Sequence, residues 1–535
     1  MDRRNLVLGV DSSTQSATAV ILDRGSFRAV AEAKVRYRDD PRLARFGLSS
    51  GAPVLPPLEE GEASQPPGLF LAALDALLSD LPREALSRLA AIDLSAQQHG
   101  QVWLAEGACE ALSDLRRPGA GAAGAPSLEE RIAPGLAYDR APIWMSSNTA
   151  AEADAIRRAL GGPEAVTGRS GSDSPLRFSG AVLARAARLR PEAYTKASRV
   201  HLISSFLAGV LSGNPDAPVD WGNGSGTGLM DWAARAWDGE LLAATAAAGG
   251  LPGGARGLAA RLPPLAHPLA LAGRAAAYFT ERYGIPEDCA IVVSSGDNPQ
   301  SKVLASGTLL SLGTSFVVMG EGRRPLPAAN AMYDGLGRPF LFGCRTNGSL
   351  AWEGLRSAAG LGADDFASAE RALASVAPGS VLRIVQPATE SFPASPPFDL
   401  GATGSFGPDY AGAVDSALGL LALASAEFAG GEGAIAATGG AASSRGVLAR
   451  AAAIFGRPVL PIADAGAAAG AAVAAACALV PEAEREGLAE RARAVAARPG
   501  PAVEPDPAAV RAYRGPGGYL ERLAEAFAAA AGRRI

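Results

Sequence analysis

Two Val-, Ile- and Leu-rich runs open the chain, LVLGVD at 6–11 and ATAVILD at 17–23. Each predicts a strand buried on both faces. Between them Asp11, Ser12, Ser13, Thr14, Gln15 and Ser16 form a polar tip, so the stretch predicts a hairpin. The same alternation returns at Gly307 to Met319, GTLLSLGTSFVVM, with Ser311-Leu312-Gly313-Thr314-Ser315 at its tip. Two such hairpins far apart in one chain predict two related domains facing a shared ligand.

The remaining pattern is mixed α/β. Arg28 to Tyr37 predicts a third strand, Pro41 to Pro67 a loop, and Gly68 to Leu81 a helix. Leu89 to Leu94 predicts a buried strand ending in Ser95-Ala96-Gln97-Gln98-His99-Gly100. Cys109 to Ala141, with little periodicity, predicts a surface excursion. A helix is predicted over Ala150 to Leu160, with Thr149 as N-cap and Glu152 as its capping-box partner. Phe178 to Leu189 and Arg199 to Leu211 have helical spacing. Pro218 to Gly228 is glycine-rich without GxGxxG spacing and predicts a flexible polar loop. Ala290 to Val293 is a strand running into Ser294-Ser295-Gly296-Asp297-Asn298-Pro299. Ser380 to Gln386 is strand-like and Leu418 to Ala429 helical. Ala434 to Thr438 is a strand entering Gly439-Gly440-Ala441-Ala442-Ser443-Ser444, then a helix through Phe455. Gly470 to Ala475 lies in a close-packed helix, and Pro505 to Ile535 is an amphipathic helical tail.

Composition narrows the class. At 535 residues, 48% hydrophobic and 19% charged, the chain is too long for one ordinary core and suits two globular domains. A net charge of −5 gives no reason to expect a nucleic-acid partner. Four scattered cysteines and three histidines form no zinc pattern, which fits a reduced cytoplasmic protein. Asp11 interrupts a short apolar run, so no signal peptide is read. The Ala-rich run Ala465 to Val480 is too short for a membrane span.

The candidate chemistry sits at strand ends. Asp11 among hydroxyls suits a divalent cation shared with phosphates, although a plain polar turn reads the same way. Gln98 and His99 lie where α/β folds meet ligands, or form a loop with incidental polar residues. Trp144 is a stacking face or core. Asp220 and Asn223 are available to hydroxyl groups. Gly296 permits a tight turn, and Pro299 suits a helix's first turn, so Asp297 is a cleft acid or a helix N-cap. The loop at Gly439 suits a flat base or a phosphate. No GxxxxGK[ST] loop exists, which excludes a P-loop kinase.

The ordered set GVDSSTQSATAVILD, LSAQQHGQVW, PIWMSSNTA, PVDWGNGSGTGLMDW, SSGDNPQS, SLGTS, ATGGAASS and RPVLPIADAGAAAGAA resembles the FGGY family of carbohydrate kinases over nearly the whole chain. The resemblance implies two actin-like (ribonuclease H-like) α/β domains with a nucleotide and sugar cleft between them. They would be a sugar-binding domain over 1–290 and a nucleotide-binding domain over 291–535. It implies ATP and Mg²⁺ as cofactors and a ketopentose substrate, D-xylulose, phosphorylated at O5. Asp297 would be the general base, an aspartate near its ordinary pKa. Gln98, His99, Trp144, Asp220 and Asn298 would serve the sugar. Ser12, Ser13, Thr14, Gln15, Gly313 and Thr314 would hold phosphates, Gly439, Gly440 and Ser443 would line the adenosine side, and Asp11 would organise Mg²⁺. Many family members carry Asp two residues after the tryptophan, often followed by Arg, whereas Ser146 and Asn148 stand here, which bears on the identity of the sugar. A ribulose-like sugar or polyol, and a non-phosphotransferring actin-like ATP-binding protein, are the rival readings. A membrane partner is not expected, and the chain is read as a monomer or homodimer.

Overall fold

The computed structural model describes residues 4–48, 53–362, 364–462 and 466–535. Seven strands make the first sheet: β1 (Leu6–Ser12), β2 (Ser16–Asp23), β3 (Ala29–Arg36), β4 (Leu89–Ala96), β5 (Leu271–Arg274), β6 (Ala290–Val292) and β7 (Ser295–Gly296). Their order is β5-β6-β4-β1-β2-β3, with β7 also paired to β4. Six make the second: β8 (Leu309–Leu312), β9 (Phe316–Glu321), β10 (Asn330–Tyr333), β11 (Pro339–Arg345), β12 (Ile435–Thr438) and β13 (Val459–Pro461), ordered β10-β11-β9-β8-β12-β13.

The expected repetition is present. β1 runs antiparallel to β2 and parallel to β4; β8 runs antiparallel to β9 and parallel to β12. In each sheet a polar hairpin tip therefore lies beside the carboxyl end of a parallel strand, where α/β folds bind ligands.

The apolar runs are continuous because both faces of the first sheet are covered. Leu6, Leu8 and Val10 pack with the helix Pro67–Asp80. Val7, Val20 and Leu22 face the other way, into a cluster shared with Leu309, Val317 and Met319 of the second sheet. Between the sheets lies the Gly- and Ala-rich helix Gly466–Ala478. A Cβ on Gly9 would sit 1.9 Å from the Ala468 carbonyl oxygen, and one on Gly470 would sit 1.9 Å from that of Gln300. Small residues let this helix touch strand β1 and the helix Asp297–Val303 backbone to backbone.

Several expectations are corrected. Thr149 makes no capping bond, because its hydroxyl donates to the Leu176 carbonyl and Glu152 pairs with Arg188. Arg199–Leu202 is a strand, paired with Gln101–Leu104, and the helix starts at Ile203. The excursion after Cys109 contains the end of a helix, Glu106–Asp114, and a second, capped helix Leu128–Ile132. The helix expected at 418–429 runs from Phe406 to Ala424. Only Ile384–Gln386 of the stretch from Ser380 is strand, and the tail is two helices, Pro507–Arg514 and Tyr519–Ala531. Residues 463–465, inside the RPVLPIADAGAAAGAA motif, and 49–52, inside the Pro41 to Pro67 loop, lie outside the described residues. Among the described residues no helix is long and apolar enough to cross a membrane.

Candidate active site

Asp11, the last residue but one of β1, lies opposite Ser95 of β4. The Ser95 hydroxyl donates to Asp11 Oδ1 at 2.7 Å, and the Ser13 hydroxyl donates to Oδ2. Burial raises the Asp11 carboxyl above its usual range against these two hydroxyls. Each oxygen keeps a further lone pair for a cation or its waters. Among the described residues no group of three or more His, Cys, Asp or Glu could hold a metal.

The rest of the first hairpin tip is tied inward. Ser12 Oγ lies 3.1 Å from Tyr37 OH, and the Gln15 carbonyl accepts from the Tyr37 backbone N–H at 3.0 Å, leaving the Gln15 side chain exposed. The Thr14 hydroxyl donates to Gln97 Oε1 at 3.0 Å and accepts from the Trp144 indole at 2.9 Å. Gln65 completes this ring, donating to the Thr14 carbonyl and accepting from Gln97 Nε2. Trp144 is therefore not core: it is 41% exposed and fixed edge-on to the hairpin.

Asp297 begins the helix Asp297–Val303, with Gly296 as the capping residue, so it is not an N-cap. Gly296 must be glycine, since a Cβ there would lie 2.3 Å from Gln98 Cγ. Asp297 Oδ1 accepts from the Asn298 backbone N–H at 2.8 Å. Asn298 Nδ2 donates to Gln98 Oε1 at 2.9 Å, joining the two predicted sugar contacts. Burial, with the like charge of Asp11 added, pushes the Asp297 carboxyl up to about 7. The sequence reading expected an aspartate near its ordinary pKa; burial beside Asp11 holds this carboxyl above that range.

His99 adopts φ 68° at the turn after β4, stacks on Phe178 at 4.7 Å and places Nδ1 2.8 Å from the Gly226 carbonyl. Burial lowers its pKa to about 3, helped by the charge of Arg177. Arg177 was not singled out in the sequence; no spacing rule marks it, and its proximity to His99 comes from the fold.

Asp220 is not on a flexible loop. It is fully buried, caps the short helix Trp221–Ser225 through the Gly222 and Asn223 N–H groups, and accepts from Ser295 Oγ at 2.6 Å. Asn223 Nδ2 donates to Ser204 Oγ at 2.7 Å. The geometry makes Asp220 the anchor of the turn before Asp297. Ser146 is also committed: its hydroxyl donates to the Ala63 carbonyl and accepts from the Ala63 N–H.

In the second sheet, Gly313 and Thr314 form the hairpin tip, held by Ser349 N–H donating to the Gly313 carbonyl. Gly439, at φ 91°, comes within 2.8 Å of the Leu312 backbone by its would-be Cβ, which brings the β12 loop against the β8 end. Gly440 faces open space, and the Ser443 hydroxyl donates to the Gly440 carbonyl at 2.7 Å. The two halves meet at β10: Gln98 Nε2 lies 3.7 Å from Met332 Sδ, and Gly222 lies against the Tyr333 carbonyl.

Residues 138–303 match the N-terminal domain of the FGGY family of carbohydrate kinases. "Probable D-xylulose kinase A" of Aspergillus fumigatus is 34% identical over 366 residues, 66% of this chain and 61% of that protein. "Xylulose kinase 2" of Arabidopsis thaliana is 32% identical, over 61% of this chain and 56% of that protein. The match therefore spans less than two thirds of these relatives' length. The xylulose kinase from Rhodospirillum rubrum superposes with a TM-score of 0.77 at 18% identity, covering 98% of each chain. Plasmodium falciparum glycerol kinase with ADP gives 0.71 at 14% identity, covering 94% of each. The fold is the two-domain, actin-like α/β fold of these kinases.

Proposed function

We propose that this chain is an ATP-dependent FGGY carbohydrate kinase that converts D-xylulose to D-xylulose 5-phosphate, with Asp297 as general base. The observation that carries the reading is the constellation Asp297, Asn298 and Gln98, hydrogen-bonded together beside Asp11 at the carboxyl end of β4. The names of the curated relatives support the same substrate. The sugar-binding part is taken to run a few residues past the expected break at 290, through β7, because β6 and β7 pair within the first sheet, and the nucleotide-binding part is taken to follow the helix Asp297–Val303.

In this reading Gln98, His99 and Asn298 hold sugar hydroxyls, Trp144 walls the pocket, and Asp220 acts through Ser295 and Asn223. Ser12 to Gln15, Gly313 and Thr314 face phosphates, while Gly439, Gly440 and Ser443 line the adenosine side. As O5 bonds to the γ-phosphorus, Asp297 takes the O5 proton, the bond from the β–γ bridging oxygen to phosphorus breaks, and ADP leaves. Phosphoryl transfer has a loose transition state, so positioning and charge neutralisation dominate. Mg²⁺, when bound, would supply charge neutralisation on the phosphates, and Asp11 is the residue that would hold it.

The first test is ATP consumption with Mg²⁺ across pentuloses, pentoses, polyols and glycerol. Stimulation by D-xylulose with sugar phosphate formed supports the proposal. Sugar-independent hydrolysis without phosphorylated sugar overturns it in favour of an ATP-binding protein of the actin type. Ser146 favours a second reading: its hydroxyl is spent on Ala63 and cannot replace the family's carboxylate, so another ketopentose or polyol is the alternative substrate.

Two results are expected alongside. The value of kcat/KM should rise with pH through a midpoint near 7, because protonated Asp297 cannot accept the O5 proton. Asp11→Asn should move that midpoint down, since it removes a like charge. A flat profile across this range argues against Asp297 as the base. Asp11→Ala should raise the Mg²⁺ concentration for half-maximal activity by about tenfold or more; an unchanged Mg²⁺ titration argues against its metal role.

A further inference from the structure

Behind the site lies a buried polar pair that the mechanism does not use. Asp93, on β4 two residues before Ser95, is fully buried, and among the described residues no cation pairs with it. Its Oδ1 accepts from the Leu94 N–H at 2.8 Å, and its Oδ2 lies 2.9 Å from Gln300 Nε2. Gln300 is 1% exposed and sits three residues after Asp297 on the same short helix. Its Oε1 has no partner and is fenced in by Gly335, whose Cβ would lie 2.3 Å away. The helix Gly466–Ala478 closes the other side, with Gly470 against the Gln300 carbonyl.

A carboxyl without counter-ion is costly to bury in ionised form, and burial pushes Asp93 up to about 8. Held neutral, it has a proton to donate. Turning the Gln300 amide gives the orphaned oxygen that donor and gives up the longer 3.4 Å bond from Nε2 to the Leu94 carbonyl. In either orientation the pair ties the helix bearing Asp297 to the strand bearing Ser95, and Ser95 in turn holds Asp11.

We propose that Asp93 and Gln300 are positioning residues for Asp297, fixing the first turn of its helix to β4 and so setting where its carboxyl stands relative to Asp11. The proposal rests on the reading of Asp297 as the base.

The test uses full-length Gln300→Met, Asp93→Leu and Asp93→Asn beside the wild type, with two readouts. Hydrogen exchange over residues 293–304 should quicken in Gln300→Met and Asp93→Leu while the midpoint of unfolding stays near wild type. With D-xylulose, kcat should fall about 10- to 100-fold, as a displacement of about an ångström does, while the sugar KM changes less than about threefold. Asp93→Asn should retain at least about half the kcat, because the amide makes the same two contacts. Should Asp93→Leu fail to fold, Gln300→Met carries the test alone. Unchanged exchange, unchanged kcat per folded molecule, a KM effect without a kcat effect, or an Asp93→Asn variant as impaired as Gln300→Met each overturn the proposal. A wild type that phosphorylates no sugar overturns the kinase reading instead, and the exchange readout then decides the positioning claim by itself.

Discussion

Asp297→Asn is expected to lower kcat by about two to four powers of ten, the usual contribution of a positioned general base. Asparagine has the same shape, and its side-chain oxygen can still accept from the Asn298 N–H. Asn298 remains tied to Gln98, so the sugar pocket should keep its form. The KM for D-xylulose, nucleotide binding and the unfolding midpoint should therefore stay near wild type, and the loss should fall on kcat. Steady-state kinetics coupled to ADP formation, with nucleotide binding measured separately, checks this. Turnover near wild type would place the base elsewhere. The replaced group is not an ordinary carboxylate: burial and Asp11 raise its pKa to about 7, so near neutral pH it combines useful basicity with a substantial ionised fraction.

Gly9→Ala is expected to destabilise the protein by about 3 kcal/mol, at the upper end of overpacking effects. The added methyl points to the face covered by the helix Gly466–Ala478 and would meet the Ala468 carbonyl at 1.9 Å and the Ala472 nitrogen at 2.4 Å. Both neighbours are backbone, so no rotamer change relieves the clash; the helix or strand β1 must move. Because Asp11 is two residues further along β1, activity should fall with stability. Denaturant unfolding of Gly9→Ala beside a control such as Gly440→Ala, where nothing lies within 4 Å, separates the clash from a general glycine effect. Equal stability of the two variants would refute the packing argument.

The elements easiest to read in the sequence were those with local chemistry. Continuous apolar runs marked β1, β2, β8 and β9, and Gly296 with Pro299 marked the turn that carries Asp297. What escaped depended on distant partners. Asp220 looked like an open polar residue, yet Ser295, seventy-five positions away, and a short helix of mostly small residues close over it. Thr149 looked like a cap until the Leu176 carbonyl took its hydroxyl. The Thr14–Gln97–Gln65 ring, with Trp144 bonded to it through Thr14, and the Asp93–Gln300 pair join segments that share no periodicity. Ser146 could be flagged as a departure from a family pattern, but only the Ala63 contacts show that its hydroxyl is already committed.

The geometry of His99 sets a preference among ligands by their own chemistry. A carbonyl oxygen can only accept, so the 2.8 Å contact with Gly226 requires the proton on Nδ1. With the ring neutral at physiological pH, Nε2 is left as an acceptor without charge. Such a nitrogen accepts from an alcohol hydroxyl and has no proton of its own to give a carboxylate. At His99 itself the contact on offer is therefore one to a hydroxyl, whatever the ring size or stereochemistry of the molecule that carries it.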